Sequence, residues 1–156
     1  MDDLRIIGAR DRARTRYPTC TNTSPSAADV NSAKAAHTTA KSAFDGGNFK
    51  VAITQWTIAY GFDCNRPAVF KNLALAYEGD MDLLMAIAVT EIYLARTPGE
   101  DPAPFNAQIA GWRKTLGIPP APTTSGSTVG TPVQPDKSGS VVVPTRELDE
   151  AASAVR

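Results

Sequence analysis

Between residues 26 and 117, apolar side chains recur every three to four positions, the spacing of one face of an α-helix. Nowhere in that stretch do they alternate as in a half-buried strand. Five helices follow from the pattern. "SPSAAD" begins the first: Ser24 is placed to cap it, Pro25 suits its first position and Asp29 favours the positive helix end. Gly46 and Gly47 stop it, and Asn48 is placed to cap a second helix through Val51, Ala52, Trp56, Ala59 and Tyr60, fraying near Asp63. Pro67 opens a third, with Phe70, Leu73, Ala74 and Tyr77 on one face. Gly79 breaks it, and Asp80 is placed to cap a fourth through Ala86, Ile87 and Leu94. After "TPGEDPAP", a fifth runs from Ala103 to about Leu116 and ends at Gly117. The predicted fold is all-α, built of antiparallel helix hairpins.

The flanks read differently. Residues 1–24 carry Arg5, Arg10, Arg12, Arg14 and Arg16 and end in turn formers, "YPTCTNTSP". A short basic helix over Leu4–Arg16, suited to RNA or an acidic partner, is one reading; a solvated N-terminal extension is the one expected. Residues 118–144 are so rich in Pro, Thr, Ser and Gly that ordering them would cost more entropy than their burial returns. They are expected to form a flexible linker in which "SVVV" is able to add a strand to a partner. The last piece, 145–156, "TRELDEAASAVR", reads as a short helix, a docking tail or the start of a truncated segment.

A length of 156 residues suits one domain with tails, and 42% hydrophobic residues suffice for a core. Lys+Arg and Asp+Glu number 16 each, so the whole chain offers no electrostatic case for nucleic acid or an anionic membrane. No apolar run approaches the roughly 20 residues that span a bilayer. The start, "MDDLRIIGARDRARTRYP", has acids where a secretory signal has its basic region. Cytoplasmic residence is therefore expected, or periplasmic and envelope residence if the chain is trimmed.

Catalytic chemistry finds little support. "FDGGNFK" lacks the G-x₄-G-K-[ST] spacing of a phosphate loop and any preceding strand, so it reads as a corner between helices. His37, the only histidine, has no nucleophile and acid fixed beside it by a motif. Cys20 and Cys64 with one histidine do not make a zinc site. Neither a cofactor nor a metal is expected, and the chain is read as a non-enzyme. The cysteines precede the first helix and follow the second, at the same end of an antiparallel hairpin. A disulfide therefore fits their positions, while free thiols fit a reducing cell.

Shifting the sequence against itself gives the strongest signal. At one constant offset Ala40 recurs as Ala74, Ala52 as Ala86, and Cys64 aligns with Pro98. Phe70-x₂-Leu73-Ala74-x₂-Tyr77 follows a W-x₂-L-G-x₂-Y run, and Gly47-Asn48-Phe49 leads into Ala52-x₃-Trp56 and Ala59. On these residues and this period the chain resembles the tetratricopeptide repeat (TPR) family over roughly 33–117, with copies at about 33–66 and 67–100 and a capping helix at 103–116. The resemblance implies a short α-solenoid with Ala40, Gly47, Phe49, Ala52, Trp56, Ala59, Leu73, Ala74, Tyr77, Ala86 and Pro98 in repeat packing. It also implies a partner groove lined by Lys34, His37, Lys41, Phe44, Lys71, Asn72, Leu75, Glu78, Asn106, Ile109 and Arg113. Lys34, Lys41 and Lys71 would suit an acidic peptide. A protein-interaction scaffold is the expected function, with an assembly subunit, self-associating near Trp112, as the alternative.

Overall fold

The computed structural model describes residues 2–121, and among these there are six helices and no strand. They are α1 (Leu4–Arg16), α2 (Ala27–Asp45), α3 (Phe49–Phe62), α4 (Val69–Gly79), α5 (Leu83–Arg96) and α6 (Ala103–Thr115). The all-α fold is as expected. Expectations for residues 122–156 lie outside the described residues.

Helices α2 and α3 pack as one hairpin and α4 and α5 as another, joined face to face through α3 and α4. Their geometry repeats as their sequence does. Shifted by the offset that relates Ala52 to Ala86, α3 coincides with α5 at both ends, and so do its caps, Asn48 with Asp82 and Asp63 with Thr97. The corners match bond for bond. Asn48 N–H donates to Ala43 C=O and Gly47 N–H to Phe44 C=O; at the equivalent positions Asp82 donates to Tyr77 and Met81 to Glu78. Each is a Schellman closure, which consumes carbonyls that the helix end leaves unpaired. The end of α6 is closed the same way, with Ile118 donating to Arg113 and Gly117 to Lys114. The closure needs a left-handed residue, supplied by Gly47 (φ 76°), Met81 (φ 62°) and Gly117 (φ 65°).

Two predicted caps move. Ser26, not Ser24, caps α2, in a reciprocal box with Asp29 whose backbone N–H lies 3.1 Å from the Ser26 hydroxyl. Pro25 falls outside the helix. Asp82, not Asp80, caps α5, because the Schellman turn takes Asp80 and Met81 to close α4 first.

The core is a seam of Trp56, Phe70, Leu73, Ile87 and Val89, all essentially inaccessible. Ala40, Ala52, Ala74 and Ala86 are buried beside it, the small side chains that let helix axes approach. Gly79, the last residue of α4, packs directly against the ring of Phe49, the first of α3. A Cβ on Gly79 would lie 2.5 Å from that ring. Gly79→Ala is therefore expected to lower stability by about 1–3 kcal/mol, an overpacking effect visible as a shifted urea midpoint.

The N-terminal segment is not the solvated extension expected from its charge. α1 lies against α5. Ile6, Ala9 and Ala13 form the buried stripe, while the arginines point outward or pair. Arg10 clamps Glu91 of α5 through two nitrogens, at 2.7 and 2.8 Å. Beyond the helix, the Tyr17 ring stands edge-on to Tyr60 and Phe70, and its hydroxyl is 2.9 Å from those of Thr57 and Tyr77. Burial pushes both phenols up, so this hydrogen-bonded pair stays neutral at ordinary pH.

Cys20 and Cys64 are joined in a disulfide, their Cα atoms 5.3 Å apart. Of the two readings of these cysteines, the structure holds the bonded one. The surrounding bonds tie the same end together: Arg96 donates to the Cys64 carbonyl and Asn65 to that of Asn22. At the other boundary, Ile118, expected in the linker, is 4% exposed and belongs to the core.

A candidate interaction cleft

The three Schellman corners end α2, α4 and α6, and the last turns of these helices bound one cleft of about 810 Å³. Phe44, Asp45, Gly47 and Phe49 come from the first corner. Leu75, Glu78, Gly79, Met81 and Leu83 come from the second, with Trp112 and Thr115 from α6. The absence of a side chain at Gly79 leaves room for Phe49, whose ring stacks edge-on to Phe44 at 5.4 Å. Both walls are thus fixed by the hairpin packing.

The floor is apolar and the charged side chains on the lining are the acids Asp45 and Glu78. Met81 is 77% exposed at a backbone angle that L residues rarely adopt. An accessible, adaptable thioether thus stands beside the apolar floor. One turn back along the same faces stand Lys41, three residues before Phe44, and Lys71, four before Leu75. The Lys71 ammonium lies 5.8 Å from the centre of the Tyr93 ring. From the corner inward the face therefore reads acidic, apolar, basic.

Of the expected groove residues, Phe44, Leu75 and Glu78 line this cleft. Lys34, Lys41 and Lys71 are half-buried on α2 and α4. The other five do not line the cleft. His37 is 4% exposed and accepts a 3.0 Å hydrogen bond from the Trp56 indole, so it joins α2 to α3 inside the hairpin. Asn72 is completely buried. Arg113, expected to face the groove and water, is 3% exposed and donates to the Pro119 carbonyl at 2.7 Å, where the chain folds back after Gly117. Ile109 is likewise buried, and Asn106 is exposed but does not line the cleft.

The repeat-packing alanines, Trp56, Leu73 and Tyr77 are buried, Phe49 is half-buried and Pro98 is exposed just after α5. Helical periodicity does not single out Asp45, Met81, Leu83 or Thr115. Met81 does carry a signal: it is the repeat equivalent of Gly47 and holds the same left-handed position. Trp112, at the apolar end expected to self-associate, is 6% exposed and lines the cleft.

Among the described residues, no group of three His, Cys, Asp or Glu is arranged to hold a metal, and no helix is long and apolar enough to cross a membrane. Comparison with protein-family models, with curated proteins and with solved structures finds no match to this chain.

Proposed function

We propose that the chain is a non-enzymatic interaction module whose paired hairpins form a short TPR-like stack and hold a peptide or helix of another protein across α2, α4 and α6. One observation carries the reading: three helix ends with the same closure converge on one apolar cleft. The size supports it, because about 810 Å³ lies within the ~300–1,000 Å³ range of ligand sites. The charge sequence along the face sets the partner's chemistry. A bare acidic peptide, the partner suggested by the lysines alone, would meet Asp45 and Glu78 at the open end. An apolar anchor with acids on one side and a cation on the other matches the whole face.

The test is capture of a specific protein by the immobilised full chain, with Lys41→Glu plus Lys71→Glu as the altered bait. Loss of capture by the doubly reversed chain, with unchanged helical circular dichroism, is the expected outcome. Undiminished capture would remove the groove from the account.

The disulfide favours a second element of this reading, that the module works in an oxidising compartment such as the periplasm or cell envelope. Fractionation followed by alkylation without reductant checks it: the native protein should resist alkylation at Cys20 and Cys64.

A further inference from the structure

We infer that α3 carries a self-association surface, on which two copies of the chain pair through antiparallel α3 helices. None of its residues lines the cleft, so the pairing is independent of what the cleft holds.

Helix α3 presents an uncharged apolar face to solvent. Of the six large hydrophobic residues exposed among those described, Val51 (39%), Ile58 (41%) and Phe62 (40%) lie on it. Thr54 and Gly61, both exposed, complete a stripe about 100° wide. The one charged residue of α3, Lys50, is held at the edge by Asp80 at 2.9 Å. The outer side of a solvated helix ordinarily carries charge, and this one carries none.

The repeat shows what such a face takes. At the offset that relates Ala52 to Ala86, Val51, Thr54, Ile58 and Gly61 correspond to Met85, Ala88, Ile92 and Ala95 of α5. On α5 a helix lies along that face: Arg10 and Ala13 of α1 stand across from Ala88 and Ile92 over a crevice of about 210 Å³. Met85 and Ala88 are accordingly 4% and 2% exposed. The same register on α3 has no helix laid along it. Its main helix neighbours among the described residues are α2 and α4.

A second copy fits because the face complements itself. Without charge it offers a charged partner nothing to pair with, and two copies bring two such faces together. In an antiparallel pair centred level with Trp56, Val51 lies opposite Gly61 and Thr54 opposite Ile58, each contact made twice about a two-fold axis. Gly61 supports this register. Apart from its own helix, no heavy atom lies within 4 Å of where its Cβ would be. Glycine weakens a helix relative to alanine, and no packing inside the chain requires it here. Opposite the Val51 of a second copy, it lets the two helices approach closely. The area sets the strength. A helix of 14 residues is about 21 Å long, and one such pair buries less than the ~800 Å² per partner of a standard interface. The pairing is therefore expected at micromolar rather than nanomolar concentrations.

The experiment follows the mass of the full chain by light scattering from about 1 to about 100 μM. Twice the chain mass at the upper end and a single chain at the lower is the expected result. Ile58→Glu should weaken the pairing by about tenfold or more, because it buries a carboxylate twice, with helical circular dichroism unchanged. Gly61→Leu, which fills the space opposite Val51, should weaken it likewise. Met81→Glu, at an exposed residue off this face, should leave the dimer intact, and so should Lys41→Glu plus Lys71→Glu. A photo-crosslinking amino acid at Ile58 should give a product of twice the chain mass, joined through α3. A single chain at every concentration would overturn the proposal. A dimer indifferent to Ile58→Glu, or one linked away from α3, would do so as well. Adducts at Ile58 with a different protein alone would make the face a dock for that protein and equally end the pairing.

Discussion

Replacing Cys20 and Cys64 together by serine is expected to destabilise the protein by about 2–4 kcal/mol. The bond spans 44 residues, and closing a loop of that size removes on the order of 4 kcal/mol of denatured-state freedom by the chain-entropy relation. On the Cys20 side lies the turn that carries the chain from Tyr17 to α2, and on the other the end of α3 with its Asp63–Arg66 ion pair at 2.9 Å. The loss would first free the passage between α1 and α2, and with it the Tyr17–Tyr77 contact. Urea denaturation reads it. The midpoint should fall by the same amount on adding dithiothreitol to the wild type as on making the double substitution, and the serine chain should not respond to reductant. Equal midpoints for all three would mean that α1 and the hairpin hold each other without the bond.

The second large effect is expected at Trp56. Its side chain is wholly buried, its ring lies 5.9 Å from that of Phe44, and its N–H satisfies His37 Nδ1. Trp56→Ala removes the largest fully buried side chain and should cost about 3–5 kcal/mol. Trp56→Phe keeps most of the volume but withdraws the donor from a buried imidazole, which should cost about 1–3 kcal/mol. The ordering of the two midpoints checks the assignment. A phenylalanine chain as unstable as the alanine chain would show that the hydrogen bond, not the packing, carries this position. Because Phe44 both stacks on Trp56 and lines the cleft, the alanine chain should also bind partner more weakly than its residual folding alone explains.

The helices were legible because their signals are local. Gly46-Gly47 followed by Asn48 marks a corner in any context, and the recurrent spacing of the alanines sets the register of one hairpin on the next. What stayed hidden depends on contacts distant in sequence. Among five arginines, Ile6, Ala9 and Ala13 make a thin apolar stripe whose meaning depends on α5, which comes four helices later in the chain. His37 sits among alanines and threonines as a surface residue would, and only Trp56, 19 positions on, shows that it is internal. Arg113 follows an amphipathic pattern outward until the Gly117 turn brings Pro119 back to cover it. The cleft was half legible: Phe44, Leu75 and Glu78 lie on the helix faces expected, but its acidic and strained rim, Asp45 and Met81, comes from the corners, which helical periodicity does not describe.

A partner seated on the α2/α4/α6 face would be within reach of a residue on that face and out of reach of one on the opposite side of α3. The direct measurement places a photo-crosslinking amino acid at Leu75, which lines the cleft, and in a second chain at Ile58, an exposed residue of α3 that does not. Both chains are irradiated in the living cell, and the adducts are resolved by mass. The account predicts one discrete partner adduct from position 75, absent from position 58 and lost with Lys41→Glu plus Lys71→Glu. The same adducts from both positions, or a position-75 adduct untouched by the charge reversal, would contradict it.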